Sequence, residues 1–325
     1  MTAAECLEKI DGVRVGVVGD FCLDVYWYAD MRRSELSRET PHFPLPIVRE
    51  KESPGGAGNV ACNLAALRPA SVFAAGIVGD DWRGTLLRNR LQANGVDCSA
   101  LIVSGKRTTN TYIKPMRMGI SDVIYEDPRL DFENHTAMPE DVEANLLSAL
   151  DVMMRQVDVL CVCDQMRCGC VTPAIRERIC EYGAQGKMVL VDSRDRVSLY
   201  RNVIVKPNDV EAGAMDAHAE LPMEEIVRRI SQKTGRPALI TMGSKGCLVC
   251  EENCVTHVPG RRVEPPLDCC GAGDTFLSAL ACLAGAGLPL WKAAEFANAA
   301  SAVIIRKIGT TGTATRQEIL TELQK

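Results

Sequence analysis

The nine residues from Asp268 to Phe276, DCCGAGDTF, hold the most concentrated chemistry in the chain. Three small residues, Gly271, Ala272 and Gly273, stand directly before an acid, Asp274, and the run from Phe276 to Ala284 is apolar on every side. That run reads as a buried helix, and the first N–H groups of a helix find no partner inside it. Such an end attracts an anion. A carboxylate held there is placed to take a proton from a hydroxyl that attacks a phosphate. Phosphoryl transfer is therefore expected, with Asp274 as general base and Gly271, Ala272 and Gly273 as the anion hole. The plainer reading makes Asp274 a cap on a core helix and the glycines a tight turn.

A scaffold must hold these residues in place. With 325 residues, 46% hydrophobic and 24% charged, the chain is globular and long enough for one sizeable α/β domain or two smaller ones. A net charge of -5 gives no electrostatic reason to expect nucleic acid or an anionic membrane as partner. The first ten residues are acidic and lack the basic-then-apolar layout of an export signal. The longest uncharged stretch, Thr275 to Trp291, contains two glycines and Pro289, which suits a buried helix and its turn better than a membrane span. A cytoplasmic protein is expected. Its 15 cysteines, an odd number, fit small buried thiols in a reducing compartment. Cys161, Cys163, Cys168 and Cys170 could hold zinc, but one residue separates the members of each pair and the first two close a strand-like run, so core packing is expected.

Strand-like and helical runs alternate, the pattern of a mainly parallel sheet covered on both faces. Strands are predicted at Val13 to Val18, Val72 to Val78, Val157 to Cys163, Met188 to Val191, Val203 to Val205, Ala238 to Thr241 and Cys247 to Val249. Helices are predicted at Asn59 to Leu67, Trp82 to Asn94, Pro139 to Met154, Thr172 to Tyr182, Met223 to Thr234, after Gly273, and at Leu290 to Arg306. Residues 24 to 50 and 107 to 127 break the rhythm: rich in β-branched and aromatic residues with prolines, they read as extended chain leaving one edge of the sheet as a lid. No low-complexity linker divides the chain, so residues 1 to 325 are expected to form one domain with a small insert. Gly56-Ala-Gly58-Asn-Val-Ala61 fits a dinucleotide fingerprint with Asp80 downstream, but a Pro-rich stretch precedes it where a compact strand is required.

Six segments, taken together and in order, make the chain resemble the PfkB or ribokinase-like family of carbohydrate kinases over nearly its whole length. They are Gly19-Asp20 to Trp27-Tyr28, Pro54-Gly-Gly-Ala-Gly-Asn59-Val-Ala, Lys206-Pro-Asn208-Asp-Val-Glu211, Thr241-Met-Gly-Ser-Lys-Gly246, Asp268 to Phe276, and Ala297-Asn298-Ala-Ala300. Within the family the chain is most similar to the kinase domain that phosphorylates heptose 7-phosphate on the way to ADP-heptose. The resemblance implies a three-layer α/β/α domain with a mainly parallel sheet and a small β lid, and ATP and Mg2+ as cofactors with K+ as a further candidate. It assigns Asp24, Gly55, Gly56 and Asn59 to the sugar, and Asn208 and Glu211 to phosphate and magnesium, the latter through water. It also places Thr241, Gly243 and Gly246 along the nucleotide phosphates, Asn298 near adenine, and Asp268 and the backbone of Cys270 at a monovalent cation.

The residues support part of this independently. Asp24 follows the first strand and Gly55-Gly56 precede a helix, and such ends of α/β strands are where ligands bind. A carboxylate and an amide grip sugar hydroxyls, while glycines let a sugar approach the backbone. No Walker lysine loop occurs, which leaves the Gly271 to Asp274 helix mouth for the phosphates. Plain structural explanations also exist: a solvated loop acid for Asp24, a cap for Asn59, a helix start behind Pro207 for Asn208 and Glu211, and a hairpin turn for Gly243 and Gly246. The chain departs from the family at Cys269 and Cys270, where two threonines are usual, and at Cys163-Asp164, where the heptose branch commonly has Ser-Asp in a loop near the sugar.

A sugar that already bears phosphate needs cations at the far end of its pocket, and the lid segments offer Arg32, Arg33, Arg38, Arg49, Lys114, Arg117 and Arg129. A heptose 7-phosphate or similar phosphosugar leads as substrate, ahead of an unphosphorylated pentose or hexose. A nucleoside kinase using Tyr26, Trp27, Tyr28 and Tyr112, or a non-catalytic sugar-sensing protein, are the other readings. No room is expected for a complete nucleotidyltransferase domain after the kinase. Val25 to Tyr28 and Tyr112-Ile113 are expected to expose apolar faces that pair with a second copy, giving a homodimer through the lid.

Overall fold

Apolar runs with no polar alternation mark strands buried on both faces, and such strands need helices on either side. The computed structural model describes residues 1–215, 221–309 and 311–325. Among these the strands are β1 (Arg14–Gly19), β2 (Phe21–Asp30), β3 (Ile47–Gly56), β4 (Ser71–Gly79), β5 (Val96–Ser104), β6 (Asn110–Met118), β7 (Tyr125–Glu126), β8 (Leu130–Phe132), β9 (Val159–Asp164), β10 (Met188–Ser193), β11 (Ile204–Val205), β12 (Ala238–Thr241), β13 (Cys247–Glu251) and β14 (Cys254–Val258). The helices are α1 (Ala3–Glu8), α2 (Ala57–Ala66), α3 (Trp82–Ala93), α4 (Glu140–Met154), α5 (Pro173–Ala184), α6 (Asp209–Met215), α7 (Met223–Thr234), α8 (Ala272–Gly285), α9 (Leu290–Ile304) and α10 (Arg316–Leu323). None of them is long and apolar enough to cross a membrane.

The main sheet runs β14-β13-β12-β11-β10-β9-β1-β4-β5, parallel from β12 to β5 with β13 and β14 added antiparallel. Period-two alternation divides each central strand between two cores. In β9, Val159, Cys161 and Cys163 pack toward α2, α8 and α9, whereas Leu160 and Val162 pack toward α4, α5 and α7. The cysteines of this strand are thus small core residues. Helix α8 is buried all round, with Leu277, Leu280 and Leu283 wholly inaccessible. Each such leucine contributes roughly 1.5–3 kcal/mol relative to exposure, enough to fix the helix and hence its N-terminus. The sequence missed β5 and β14, both at sheet edges where the apolar run is diluted; β5 alternates buried and exposed residues along its first half.

The segments that leave this sheet build a second one, ordered β3-β2-β6-β7 with β8 also on β6. Strand β2 follows β1 with only Asp20 between them. One face of the second sheet, with Leu23, Val25 and Ile113, is sealed into the core. This corrects the expectation of exposed apolar faces at Val25 to Tyr28 and Tyr112-Ile113. Among the apolar residues the lid does expose are Leu36, Phe43, Ile47 and Val48 in its first segment and Ile120, Val123, Ile124, Tyr125, Leu130 and Phe132 in its second.

Asp20, buried at the root of the lid, accepts hydrogen bonds from the backbone amides of Gln165 (2.9 Å), Met166 (2.7 Å) and Cys170 (2.7 Å). It ties the loop after β9 to the end of β1. Replacing it strands three amide donors, one buried and two part-buried, so Asp20→Ala should lower unfolding free energy by about 3 kcal/mol. Urea denaturation measures this; a loss no larger than that of an ordinary surface substitution would contradict the role.

Candidate active site

The parallel strands end on one side of the sheet, and their last residues assemble the charged cluster. Lys206, directly after β11, is 3% exposed and pairs with Asp192 of β10 at 2.9 Å. Burial works against its charge, but Asp192, with Glu211 and Asp274 nearby, outweighs that and raises its pKa. Lys206 opens one of the six family-like segments, and a lysine ending a buried strand is the sequence signal that marks it.

Helix α8 brings Asp274 to this edge. Gly271 is its N-cap at φ 78°, a left-handed conformation that glycine adopts without strain, and a Cβ there would lie 2.8 Å from Asn59 Nδ2. Gly271, Ala272 and Asp274 are half-buried and Gly273 is exposed, so the helix tip is open. The Ala272 N–H donates to the Cys269 carbonyl at 3.2 Å. That corrects the expectation that all three amides are free; those of Gly271, Gly273 and Asp274 find no acceptor among the described residues. Asn59, in the first turn of α2, donates from Nδ2 to Asp274 Oδ2 at 2.7 Å. Burial pushes the Asp274 carboxyl up to about 6; the Asn59 hydrogen bond and Lys206 oppose this, and Asp192 and Asp24 add to it.

Strand register places the opposite wall. Asp24 pairs with Ser53 and Tyr112, and Tyr26 with Lys51 and Lys114, so these residues share one face of the lid sheet. Cys22 and Gly55 are a register pair on that face too, and a side chain at Gly55 would overlap the Asp24 carboxylate. Asp24 is therefore a mid-strand residue, not a loop acid, and only glycine at the diagonal position 55 leaves room for it. Its pKa is raised by burial, with Lys114 and Arg129 acting against the rise. Lys114 donates to the Tyr26 hydroxyl at 3.1 Å, and Lys114 and Asp24 also act on the Cys270 thiol at the start of the α8 turn. The lid reaches the end of the chain as well: Lys51 donates to the Gly309 carbonyl (3.2 Å) and Ser53 meets Thr311 (3.3 Å).

Other expected site residues lie further along the edge. Asn208 and Glu211 cap α6 reciprocally, each backbone N–H bonding the other's side chain at 2.8–2.9 Å. Burial and then Asp192 raise the Glu211 pKa, opposed by the Asn208 amide. Thr241 bridges Asn208 across the strand ends, Gly243 is exposed in the turn that follows, and Gly246 is buried against the backbone of Val258 and Gly260. Asn298 spends both amide hydrogens on the carbonyls of Val258 (3.2 Å) and Pro259 (3.1 Å), so it braces that loop and offers no free donor. Clefts of about 650 and 600 Å³ flank Pro259 and Gly260, away from Asp274. Asp268 accepts from the amides of Cys270 (3.0 Å) and Gly309 (2.9 Å). Asp164 is fully buried, held by Arg196, Ser193 and Tyr200, which removes it from any contact with a ligand.

Of the seven lid cations, Arg32 and Arg33 pair with Asp30, Arg117 with Asp127, Arg49 covers the Tyr28 ring, and Arg38 is exposed. Lys114 and Arg129 are the two that act on Asp24, and Arg129 is itself paired with Asp131 at 2.6 and 2.7 Å.

Known proteins resemble this chain in sequence and in fold. A profile of pfkB family carbohydrate kinases matches residues 17–316. The chain is 33% identical over 318 residues to the bifunctional protein HldE of Gluconacetobacter diazotrophicus, covering 96% of this chain and 64% of that protein. It is 34% identical over 327 residues to HldE of Shewanella sediminis, covering 98% and 65%. The chain thus spans somewhat less than two thirds of these relatives. Among solved structures, Arabidopsis thaliana ribokinase complexed with ribose and ATP superposes with a TM-score of 0.71 at 19% identity, over 97% of this chain and 99% of that one. Escherichia coli phosphofructokinase-2 in complex with potassium gives 0.71 at 18%, over 96% and 100%. With a ribokinase-like α/β fold and a family match that leaves out only its two ends, the chain belongs to the pfkB family of carbohydrate kinases.

Proposed function

We propose that the protein transfers the terminal phosphate of ATP to a hydroxyl of a phosphosugar, with heptose 7-phosphate the best match. The observation that carries this reading is the Asp274 carboxylate at an open helix N-terminus, held by Asn59 through one oxygen, with no donor to Oδ1 among the described residues, opposite the polar face of the lid. Asp274 accepts the proton of the attacking hydroxyl, and Asp24 orients the sugar. The free amides of the Gly271–Asp274 turn meet the charge that develops on the transferring group, and the lid excludes water. Thr241 and the Gly243 turn border the nucleotide end. Lys114 and Arg129 give the pocket the cations a second phosphate requires. They also cover the rings of Tyr26 (4.7 Å) and Tyr112 (4.3 Å), leaving those aromatics occupied where a nucleoside kinase would stack a base.

Magnesium fits this edge: Glu211 is a half-buried carboxylate whose pKa neighbouring Asp192 helps to raise, a pair of hard oxygen groups that a cation would relieve. When bound with ATP it would neutralise phosphate charge, with Glu211 holding it through water. Asp268 and the backbone of Cys270 are the candidate monovalent-cation ligands, although both Asp268 oxygens already bind amides of their own loop. A homodimer through the exposed lid residues near Ile120 to Tyr125 belongs to the same reading. The HldE relatives are named bifunctional, and the part of them that this chain matches would be the kinase.

An ADP-release assay over sugars, phosphosugars and nucleosides tests the whole proposal; release with nucleosides alone would reject it. Asp274→Asn should retain ATP binding and lose about 10²–10⁴ in turnover. Because burial raises the folded-state pKa to about 6, stability present at low pH is lost as pH rises through that value. Asp274→Asn should accordingly melt above the parent at pH 8 and close to it at pH 4, and equal melting curves at pH 8 would count against a buried charge. Lys114→Met should raise KM for the phosphosugar about 10-fold or more and leave KM for ATP alone, as loss of one charge-assisted contact predicts.

A further inference from the structure

Asp274 is reached from behind by a chain of buried amides and a hydroxyl. Asn63, 1% exposed and one helical turn after Asn59, donates from Nδ2 to the Asn59 backbone carbonyl (3.0 Å) and to Asn59 Oδ1 (3.1 Å). Its own Oδ1 accepts from the hydroxyl of Thr275 (2.9 Å), the residue next to Asp274. Ser278, wholly buried, shares its single hydroxyl hydrogen between the carbonyls of Val60 (3.0 Å) and Asp274 (2.7 Å), so the joint between α2 and α8 is polar at its centre.

The direction of this chain is forced. A backbone carbonyl can only accept, so the nitrogen of Asn63 must face the Asn59 carbonyl. The same nitrogen then meets Asn59 Oδ1, which turns the Asn59 nitrogen toward Asp274. An ionised carboxylate can only accept, and it receives that N–H at 2.7 Å. Were Asn59 reversed, its oxygen would face the carboxylate and both groups would be acceptors in a site of low dielectric.

We infer that Asn63 is a positioning residue for the kinase reaction: it fixes the direction of the Asn59 amide, and through it which oxygen of Asp274 is held and which is left for the substrate hydroxyl. The inference rests on the reading of Asp274 as base. Thr275 completes the chain by holding the oxygen end of Asn63. The groups facing the carboxyl are Asp24 from β2, Asp192 from β10, Lys206 beyond β11, and the thiols of Cys22, Cys163 and Cys270. The two acids favour protonation; the Asn59 N–H and Lys206 oppose it.

The test is kinetic. Asn63→Leu, similar in size but unable to donate, should lower kcat about 10–100-fold through misplacement of the base, with KM for ATP unchanged. Its acid limb in kcat against pH should move to higher pH, since the base has lost a donor that stabilises its charged form. Thr275→Val should move the limb in the same direction, and Thr275→Ser should restore it; this pair decides the matter should Asn63→Leu fail to fold. A cooperatively melting Asn63→Leu with the parent's kcat and limb would overturn the inference, and so would a lower kcat with an unmoved limb. Asp274→Asn run in parallel separates the two readings: parental turnover there removes Asp274 as base, whereas collapse there with unmoved limbs in the Asn63 and Thr275 variants removes the positioning chain alone.

Discussion

A carboxylate held between two sheets, partly out of water, is the constraint around which this site is organised. Burial and the charges of Asp192 and Asp24 favour a proton on Asp274, while the Asn59 amide and Lys206 favour its absence. The result near 6 fits the proposed role of Asp274, since a general base works best when its pKa lies close to operating pH. None of these groups is adjacent to Asp274 in sequence. They come from α2, β2, β10 and the end of β11, so the balance exists only once the sheet, its helices and the lid are all in place.

The lid contributes through register. Strand β2 is sealed into the core by Leu23 and Val25, and period two then commits Cys22, Asp24 and Tyr26 to the other face. The neighbouring strands follow suit, bringing Gly55 and Lys114 to the same surface. A slip of one residue would bury Asp24 and expose Leu23, so core packing and the polar face of the lid specify the same alignment.

Much of this was legible in the sequence. The parallel strands and the main helices follow from apolar runs longer than any exposed element needs, and the Asp268 to Phe276 segment announces a helix with an open mouth. The rest depended on contacts between distant residues. That Asn298 braces a loop, that Asp164 is sealed behind Arg196, and that most lid arginines are neutralised by acids a few residues away are outcomes of packing that spacing does not encode. Asn63 left a faint trace, an amide one turn beyond Asn59 in a helix otherwise made of glycine, alanine, valine, leucine and cysteine. Only its partners give that trace a meaning.

The root of the lid has a mechanical consequence. A single residue joins β1 to β2, and that residue, Asp20, is clamped by three amides from the loop after β9. There is no slack in which a hinge could turn. Asp24 lies four residues beyond the clamp, flanked by two inaccessible side chains, while the irregularity between Tyr28 and Ala29 sits farther out. Flexing is therefore confined to the outer part of the sheet, so the end that carries Asp24 is rigid before any ligand arrives and adaptation falls to the tip.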